Sequence, residues 1–401
     1  MNAVGIDVSK GKSTIAVMRP FGEIVASPYD VVHTISELKK LADFLLKLNG
    51  ETRVVIEYTG KYHEPVALSL YEAGLFVSIV NPILIKNFGN NTIRRAKTDK
   101  KDAVKLANYA LSHWLDLPQF VPEDEARRTL KTYNRQYSHY IKTKVAMKNN
   151  LISLLDQTFP GVNTLFSSPP RKNGHEKWID FVEEFWHCGC VASLTQNLFS
   201  ERYAEWCAKL KYHFSYSKAE DIYFASAGHF NTLPMCDSTK CLILQAVKQL
   251  NVINETLASL KHEMNNIASS LPEYTTVMAM HGVGETLGPQ LIAEIGDIRR
   301  FQRKQSLVSF AGVEPPENQS GMYEARSRSI SKQGPSALRK TLFQVMSCIL
   351  KNGNVDDSVF QFLDRKRAEG KPYRVYMIAA ANKFLRVYYG RIKELFNKLE
   401  A

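Results

Sequence analysis

Short apolar runs, each broken by one charge, open the chain. Val4-Gly-Ile-Asp7-Val holds a single carboxylate, and Arg53-Val-Val-Ile-Glu57 repeats the design. Residues 4–6 and 14–17 are expected to form two strands of a hairpin turned at Lys10-Gly11-Lys12, with residues 21–26 as a third strand. Apolar positions then take helical spacing at Leu38, Leu41, Phe44, Leu45 and Leu48, and the run ends at Asn49-Gly50. Residues 53–57 predict a buried strand and 63–73 a helix stopped by Gly74. Residues 76–80 predict a strand closed by Asn81-Pro82, and 101–112 a helix. Three strands followed by helix, strand, helix, strand and helix define an α/β domain.

The pattern lengthens further on. Residues 123–157 predict a long helix, with Leu130, Tyr133, Tyr137, Ile141, Leu151 and Leu155 near heptad spacing. Phe159-Pro160-Gly161 stops it. A cleaner heptad runs from Ile243 through Val247, Leu250, Ile253, Leu257, Leu260, Met264 and Ile267 to Leu271. The two helices are expected to pair, within one chain or across a dimer. Residues 160–235 read as irregular, with an aromatic-rich packed insertion. Beyond Pro272, His281-Gly282-Val-Gly284 makes a compact turn that opens a helix, in the manner of a helix-hairpin-helix. Backbone N–H groups at such a helix start can hold a phosphate; a tight turn without ligand fits the pattern equally. The expected division is 1–118, a helical coiled-coil linker over 119–271 with its insertion at 160–235, and a mostly helical segment over 272–401.

Charge narrows the partner. The chain has 52 Lys+Arg against 40 Asp+Glu, a formal net charge of +12. That balance favours a polyanion, most simply nucleic acid. The six cysteines lack the spacing of a disulfide framework, which points to a reducing cytoplasm. No apolar run approaches a membrane span, so no membrane partner is expected.

Against this basic background four acids stand out: Asp7, Glu57, Asp99 and Asp102. A carboxylate at the end of a buried strand is costly unless a cation or hydrogen bonds compensate it. Two such strands and a third acidic cluster, Lys97-Thr-Asp99-Lys-Lys-Asp102, point to a shared ion. Oxygen ligands favour Mg2+ or Mn2+, the ions of phosphoryl transfer. The strongest basic patch lies elsewhere: nine Lys and Arg between Arg299 and Lys340 face three acids, Glu314, Glu317 and Glu324. Ser320, beside Gly321, sits inside it. On the residues alone it is one of several serines there, and a serine needs a base or metal to become a nucleophile.

The ordered set of motifs resembles the DEDD-type insertion-sequence transposases and recombinases, the group that includes the Piv DNA invertase and bridge-RNA-guided recombinases. One block, about residues 1–155, carries Gly5-Ile-Asp7-Val-Ser-Lys, Glu57-Tyr-Thr-Gly60 and Thr98-Asp99-Lys-Lys-Asp102-Ala. A second, about 273–360, carries Gly282-Val-Gly284, Glu294-Ile-Gly296-Asp297, Phe310-Ala-Gly312, Gln319-Ser320-Gly321, Ile330-Ser-Lys332-Gln-Gly334 and Leu338-Arg339. The resemblance implies a RuvC-like, RNase H-type fold for the first block. It also implies a catalytic metal tetrad of Asp7, Glu57, Asp99 and Asp102, and a serine nucleophile, Ser320, which the helical linker would allow to complete the site of its own or of another protomer.

The implied activity is DNA cutting and rejoining through a serine–phosphate intermediate, in a homo-oligomeric (dimeric or tetrameric) bacterial cytoplasmic protein. Its partners would be double-stranded donor and target DNA and a structured guide RNA. Arg94, Arg95, Lys97, Arg127, Arg128, Lys131, Arg135, Gly282, Gly284, Arg326, Arg328, Lys332 and Arg339 are the expected nucleic-acid contacts. The alternatives are a RuvC-type metal-only junction nuclease, which needs no Ser320, and a Piv-like invertase without guide RNA. An actin-like ATPase lacks its second glycine segment, and a purely nucleic-acid-binding protein leaves the acids without purpose.

Overall fold

The computed structural model describes residues 1–89, 98–171, 173–316, 319–320, 323–324 and 329–401. They form two compact units, Met1–Pro122 and Glu123–Ala401.

The first unit is built on one mixed sheet. Its strands are β1 (Asn2–Ser9), β2 (Lys12–Met18), β3 (Ile24–Val32), β4 (Thr52–Glu57) and β5 (Phe76–Val80). Their order across the sheet is β3-β2-β1-β4-β5. The first three run antiparallel as a meander, and β4 and β5 add parallel to β1. This is the α/β RuvC-like, RNase H-type arrangement that the motifs imply.

Helices α1 (Ile35–Leu46), α2 (Glu64–Glu72), α3 (Pro82–Asn87) and α4 (Asp99–Ser112) complete the unit. Strand alternation sorts the two faces. Val4, Ile6, Ile15, Val17, Val54 and Ile56 pack with α1 and α2, whereas Ala3 and Val55 pack with α4.

Two elements differ from the pattern reading. The third strand starts at Ile24, because residues 20–22 turn first: Phe21 has φ +64° and Arg19 N–H donates to Glu23 C=O at 2.8 Å. Helix α3 begins at Pro82, directly behind the Asn81 that closes β5, and the pattern predicts no helix there. Asn81 caps it through its side chain, and Pro82 suits a first helical position.

The second unit is helical. Its long helices are α5 (Glu125–Leu155) and, after α6 (Lys177–Glu184), α7 (Gly189–Ala192), α8 (Gln196–Lys209) and α9 (Tyr216–Ser226), α10 (Asp237–Ser269). Helices α5 and α10 pair antiparallel within the chain. Leu130 shares a core with Met264 and Ala268, while Leu151 and Leu155 share another with Ile243, Val247 and Leu250.

Residues 160–235 are therefore largely helical, not irregular. Their short helices enclose stacked aromatics such as Phe181 on Phe185 (centroids 4.7 Å) and Tyr203 on Trp206 (5.7 Å). Then come α11 (Tyr274–Met278), α12 (Leu287–Ile295), α13 (Lys304–Ala311), the short strands β6 (Gln319–Ser320) and β7 (Tyr323–Glu324), α14 (Ser336–Asn352), α15 (Ser358–Ala368) and α16 (Tyr373–Glu400). All six cysteines are free. Among the described residues no helix is long and apolar enough to cross a membrane.

Candidate active site

Backbone register brings two of the four acids together. β1 pairs parallel with β4 up to Ile6 opposite Ile56, so Asp7 and Glu57 are the next residues on neighbouring strands. Both fall on the α4 face, in step with Gly5 and Val55. Gly5 is the residue on which α4 rests: a Cβ there would lie 2.0 Å from the Ala103 carbonyl oxygen and 2.3 Å from Ala107 N. Only glycine lets the helix this close.

The direction of α4 follows from its other end. Trp114, just beyond it, accepts a hydrogen bond from Arg53 at the start of β4, and the Arg53 guanidinium lies 4.8 Å from the indole centroid. The helix thus runs against β1 and β4. Its first turn, with Asp99 and Asp102, lies at the strand ends that carry Asp7 and Glu57.

Local chemistry supports each placement. Thr98 caps α4, its Oγ1 accepting from Lys101 N–H at 3.3 Å. Acids in the first helical turn are favoured by the helix dipole. Glu57 stands opposite Val80 of β5, and Tyr58 N–H donates to the Val80 carbonyl at 3.0 Å, which closes that end of the sheet. Asp7, Glu57 and Asp102 are half-buried and Asp99 is exposed.

All four donors are carboxylate oxygens, the set that hard divalent cations take. In the described side-chain positions no three His, Cys, Asp or Glu residues converge as metal ligands. What fits a metal is the donor chemistry and its gathering at one edge.

The second unit carries the serine. Ser320 of β6 pairs with Tyr323 of β7. The segment that bears them leaves and returns at one backbone crossing. Ser331 N–H donates to Glu314 C=O at 2.9 Å and Lys332 N–H to Gly312 C=O at 3.2 Å. A Cβ on Gly334 would lie 1.7 Å from the Phe310 carbonyl oxygen. The glycines of two sequence motifs, Phe310-Ala-Gly312 and Gln333-Gly334, thus meet there.

The expected nucleic-acid contacts divide into distinct kinds. Arg127 is buried and paired with Asp124 (2.5 Å) and Glu273. Lys131 pairs with Glu123 (3.2 Å), and Arg135 with Glu294 (2.9 Å), whose side chain is wholly buried. These three charges are balanced within the unit. Arg339 donates to the carbonyls of Gly334 (2.7 Å) and Ala311 (3.2 Å), bracing the crossing.

Arg128 and Lys332 are exposed. Gly282 has φ +76°, and a Cβ there would be 2.5 Å from Ile349 Cγ1, which presses the turn onto α14. Gly284 faces open space, two residues before the Thr286 that precedes α12. Arg94, Arg95, Lys97, Arg326 and Arg328 lie outside the described residues. The structure adds Lys12 and Asp30 to the α4 face. Their signal is strand register, which no spacing within the sequence displays.

Comparisons with known proteins agree with these motifs. A family model described as DEDD transposase (IS110 type) matches residues 4–160, and one described as transposase IS116/IS110/IS902 family matches residues 274–358. Together they span more than half of the sequence, in chain order: the chain belongs to this family of DEDD transposases. It is accordingly a DNA-cutting enzyme of the transposase and recombinase class.

Relatives include the pilin gene-inverting protein of Moraxella bovis, 24% identical over 341 residues, covering 85% of this chain and 80% of the relative. The insertion element IS116 uncharacterized 44.8 kDa protein of Streptomyces clavuligerus is 22% identical over 321 residues, covering 79% and 77%. Among solved structures, Thermus thermophilus RuvC is 16% identical and covers 28% of this chain and 95% of its own, at a TM-score of 0.23.

Proposed function

We propose that this enzyme cuts and rejoins strands of double-stranded donor and target DNA, with Asp7, Glu57, Asp99 and Asp102 as ligands of Mg2+ or Mn2+ and Ser320 as the nucleophile. The observation that carries it is the register of Asp7 beside Glu57 under the first turn of α4. A bound divalent ion would stabilise charge at the reacting phosphate.

The chain's own residues supply the rest. The Ser320 hydroxyl oxygen forms a bond to phosphorus and loses its proton, while the bond from phosphorus to one deoxyribose oxygen breaks and that oxygen takes a proton. Rejoining reverses both transfers, so no net hydrolysis occurs. Open backbone at Gly284 and the exposed cations Arg128 and Lys332 suit contacts to phosphates. A homo-oligomer, dimer or tetramer, is the proposed working form.

Variants separate this reading from a metal-only nuclease. Ser320→Ala abolishes strand exchange and the covalent protein–DNA adduct; intact exchange by Ser320→Ala would falsify the covalent route. Asp7→Ala abolishes exchange and keeps DNA binding. Full activity of Asp7→Ala overturns the metal-site reading.

The finer choice of partner is a structured guide RNA, in keeping with the exposed basic positions. The likeness to a pilin gene-inverting protein favours a second reading, inversion of DNA without a guide. Ribonuclease treatment of the purified enzyme decides between them: exchange that survives it supports inversion, and exchange lost and then restored by added element RNA supports the guide.

A further inference from the structure

One charged pair stands on the same face and at the same edge as the four acids. Asp30 of β3 is the cross-strand partner of Thr14 on β2, and Thr14 is the partner of Asp7 on β1. Asp7, Thr14 and Asp30 therefore form one row. Lys12, two residues from Thr14 along β2, shares their face. Asp30 is held by two donors: Thr14 Oγ1 at 2.7 Å on one oxygen and Lys12 Nζ at 2.8 Å on the other. From the first turn of α4, Asp99 lies close enough to act on the Lys12 ammonium, and Lys100 on the Asp30 carboxylate.

Lys12 and Asp30 are 48% and 46% exposed. An ion pair this open, screened by solvent, contributes little to stability, so folding accounts poorly for it. An ammonium is a compact charge with three rotatable donors, equally served by a carboxylate or a phosphate oxygen. Held by one exposed carboxylate at the rim of an acidic edge, it can pass from Asp30 to an arriving strand while the edge stays partly neutralised.

We infer that Lys12 is a phosphate-contacting residue of the DNA site, held on Asp30 in the free enzyme, and that Asp30 is a positioning residue that competes with DNA for it. This rests on the carboxylate edge being where DNA binds.

The test is a double-mutant cycle of wild type, Lys12→Ala, Asp30→Asn and the double variant. Binding of a fluorescein-labelled linear duplex is followed across salt concentrations in chelator, so that no strand is cut. Lys12→Ala is expected to weaken binding about threefold to tenfold and to lower the salt slope by about one. Asp30→Asn is expected to tighten binding about twofold to fivefold by releasing the lysine. Loss of a negative charge alone would also tighten it, so the deciding result is that this gain disappears when Lys12 is absent. Lys12→Gln keeps the side-chain stem and stands in if Lys12→Ala melts early.

A salt slope unchanged by Lys12→Ala, or an Asp30→Asn gain that is missing or persists without Lys12, overturns the proposal. The cycle reads binding without chemistry, whereas the catalytic reading is tested by Asp7→Ala in strand exchange, so each can fail alone.

Discussion

Gly5 lies against the backbone of Ala103, with no room for even a methyl group between them. This contact fixes how deep α4 sits on the sheet, and α4 carries two of the four acids. Gly5→Ala must lift the helix or bend β1. The expected cost is about 1–3 kcal/mol of stability. Strand exchange should fall more than the folded fraction does, because Asp99 and Asp102 move with α4. Thermal melting alongside an exchange assay separates the two effects; activity that tracks the folded fraction alone would count against the placement.

Metal should stabilise the fold apart from any reaction. An ion that binds only the folded state at about 100 times its dissociation constant adds about 2.7 kcal/mol. Mg2+ or Mn2+ should therefore raise the melting temperature of the wild type, and Asp7→Asn or Glu57→Gln should lose most of that gain. Calorimetry in chelator and in metal checks it. Equal shifts in all three proteins would show that the ion binds elsewhere.

Arg127 and Glu273 form an ion pair 5% and 2% exposed, with Asp124 on the other side of the guanidinium. Removing one partner leaves a buried charge without compensation. Arg127→Met is expected to cost about 3–5 kcal/mol, and Glu273→Leu added to it to recover most of the loss. Urea unfolding measures both. A small effect of Arg127→Met would mean that the pair is not closed in solution.

Glu294 carries a pH signature. Burial, above all, raises its carboxyl above the usual value of 4.5, against the opposing pull of Arg135 and Asn134. A raised folded-state pKa means that the folded protein holds the proton more tightly than the unfolded chain. That stabilisation is full below the usual carboxyl value and is lost as pH climbs through the raised one. Glu294→Gln does not titrate, so its stability relative to wild type should rise from about pH 4.5 toward neutrality. Unfolding curves over that interval check the sign; a constant difference would contradict it.

The strand cores were legible because β1 and β4 alternate or run apolar between a charge and a turn, and the acids closing them are conspicuous there. The approach of Asp99 and Asp102 was legible only as a motif, since the distance from Asp7 to α4 is set by Gly5, a residue with no side chain to read. Arg127 shows the opposite limit. Its sequence neighbours present it as one more cation on a basic helix, while the carboxylate that balances it, Glu273, lies 146 positions later. Residues 160–235 escaped periodicity because short helices of aromatic and polar residues show too few turns to reveal a face. Ser320 was found by motif alone: a two-residue strand has no pattern of its own.

The backbone crossing at Gly312 and Gly334 has a consequence for how such an enzyme can vary. The two described ends of the serine-bearing segment, Val313-Glu314 and Ser331-Lys332-Gln333, are held at one fixed pair of glycines, braced by Arg339, as the base of a handle is fixed to a cup. Val313 at its root is buried with Leu307 of α13 and Leu338 of α14, so the base is part of the core, and any side chain at either glycine pulls that base apart. Variation in the serine-bearing segment is therefore expected to be tolerated away from this base and resisted at it.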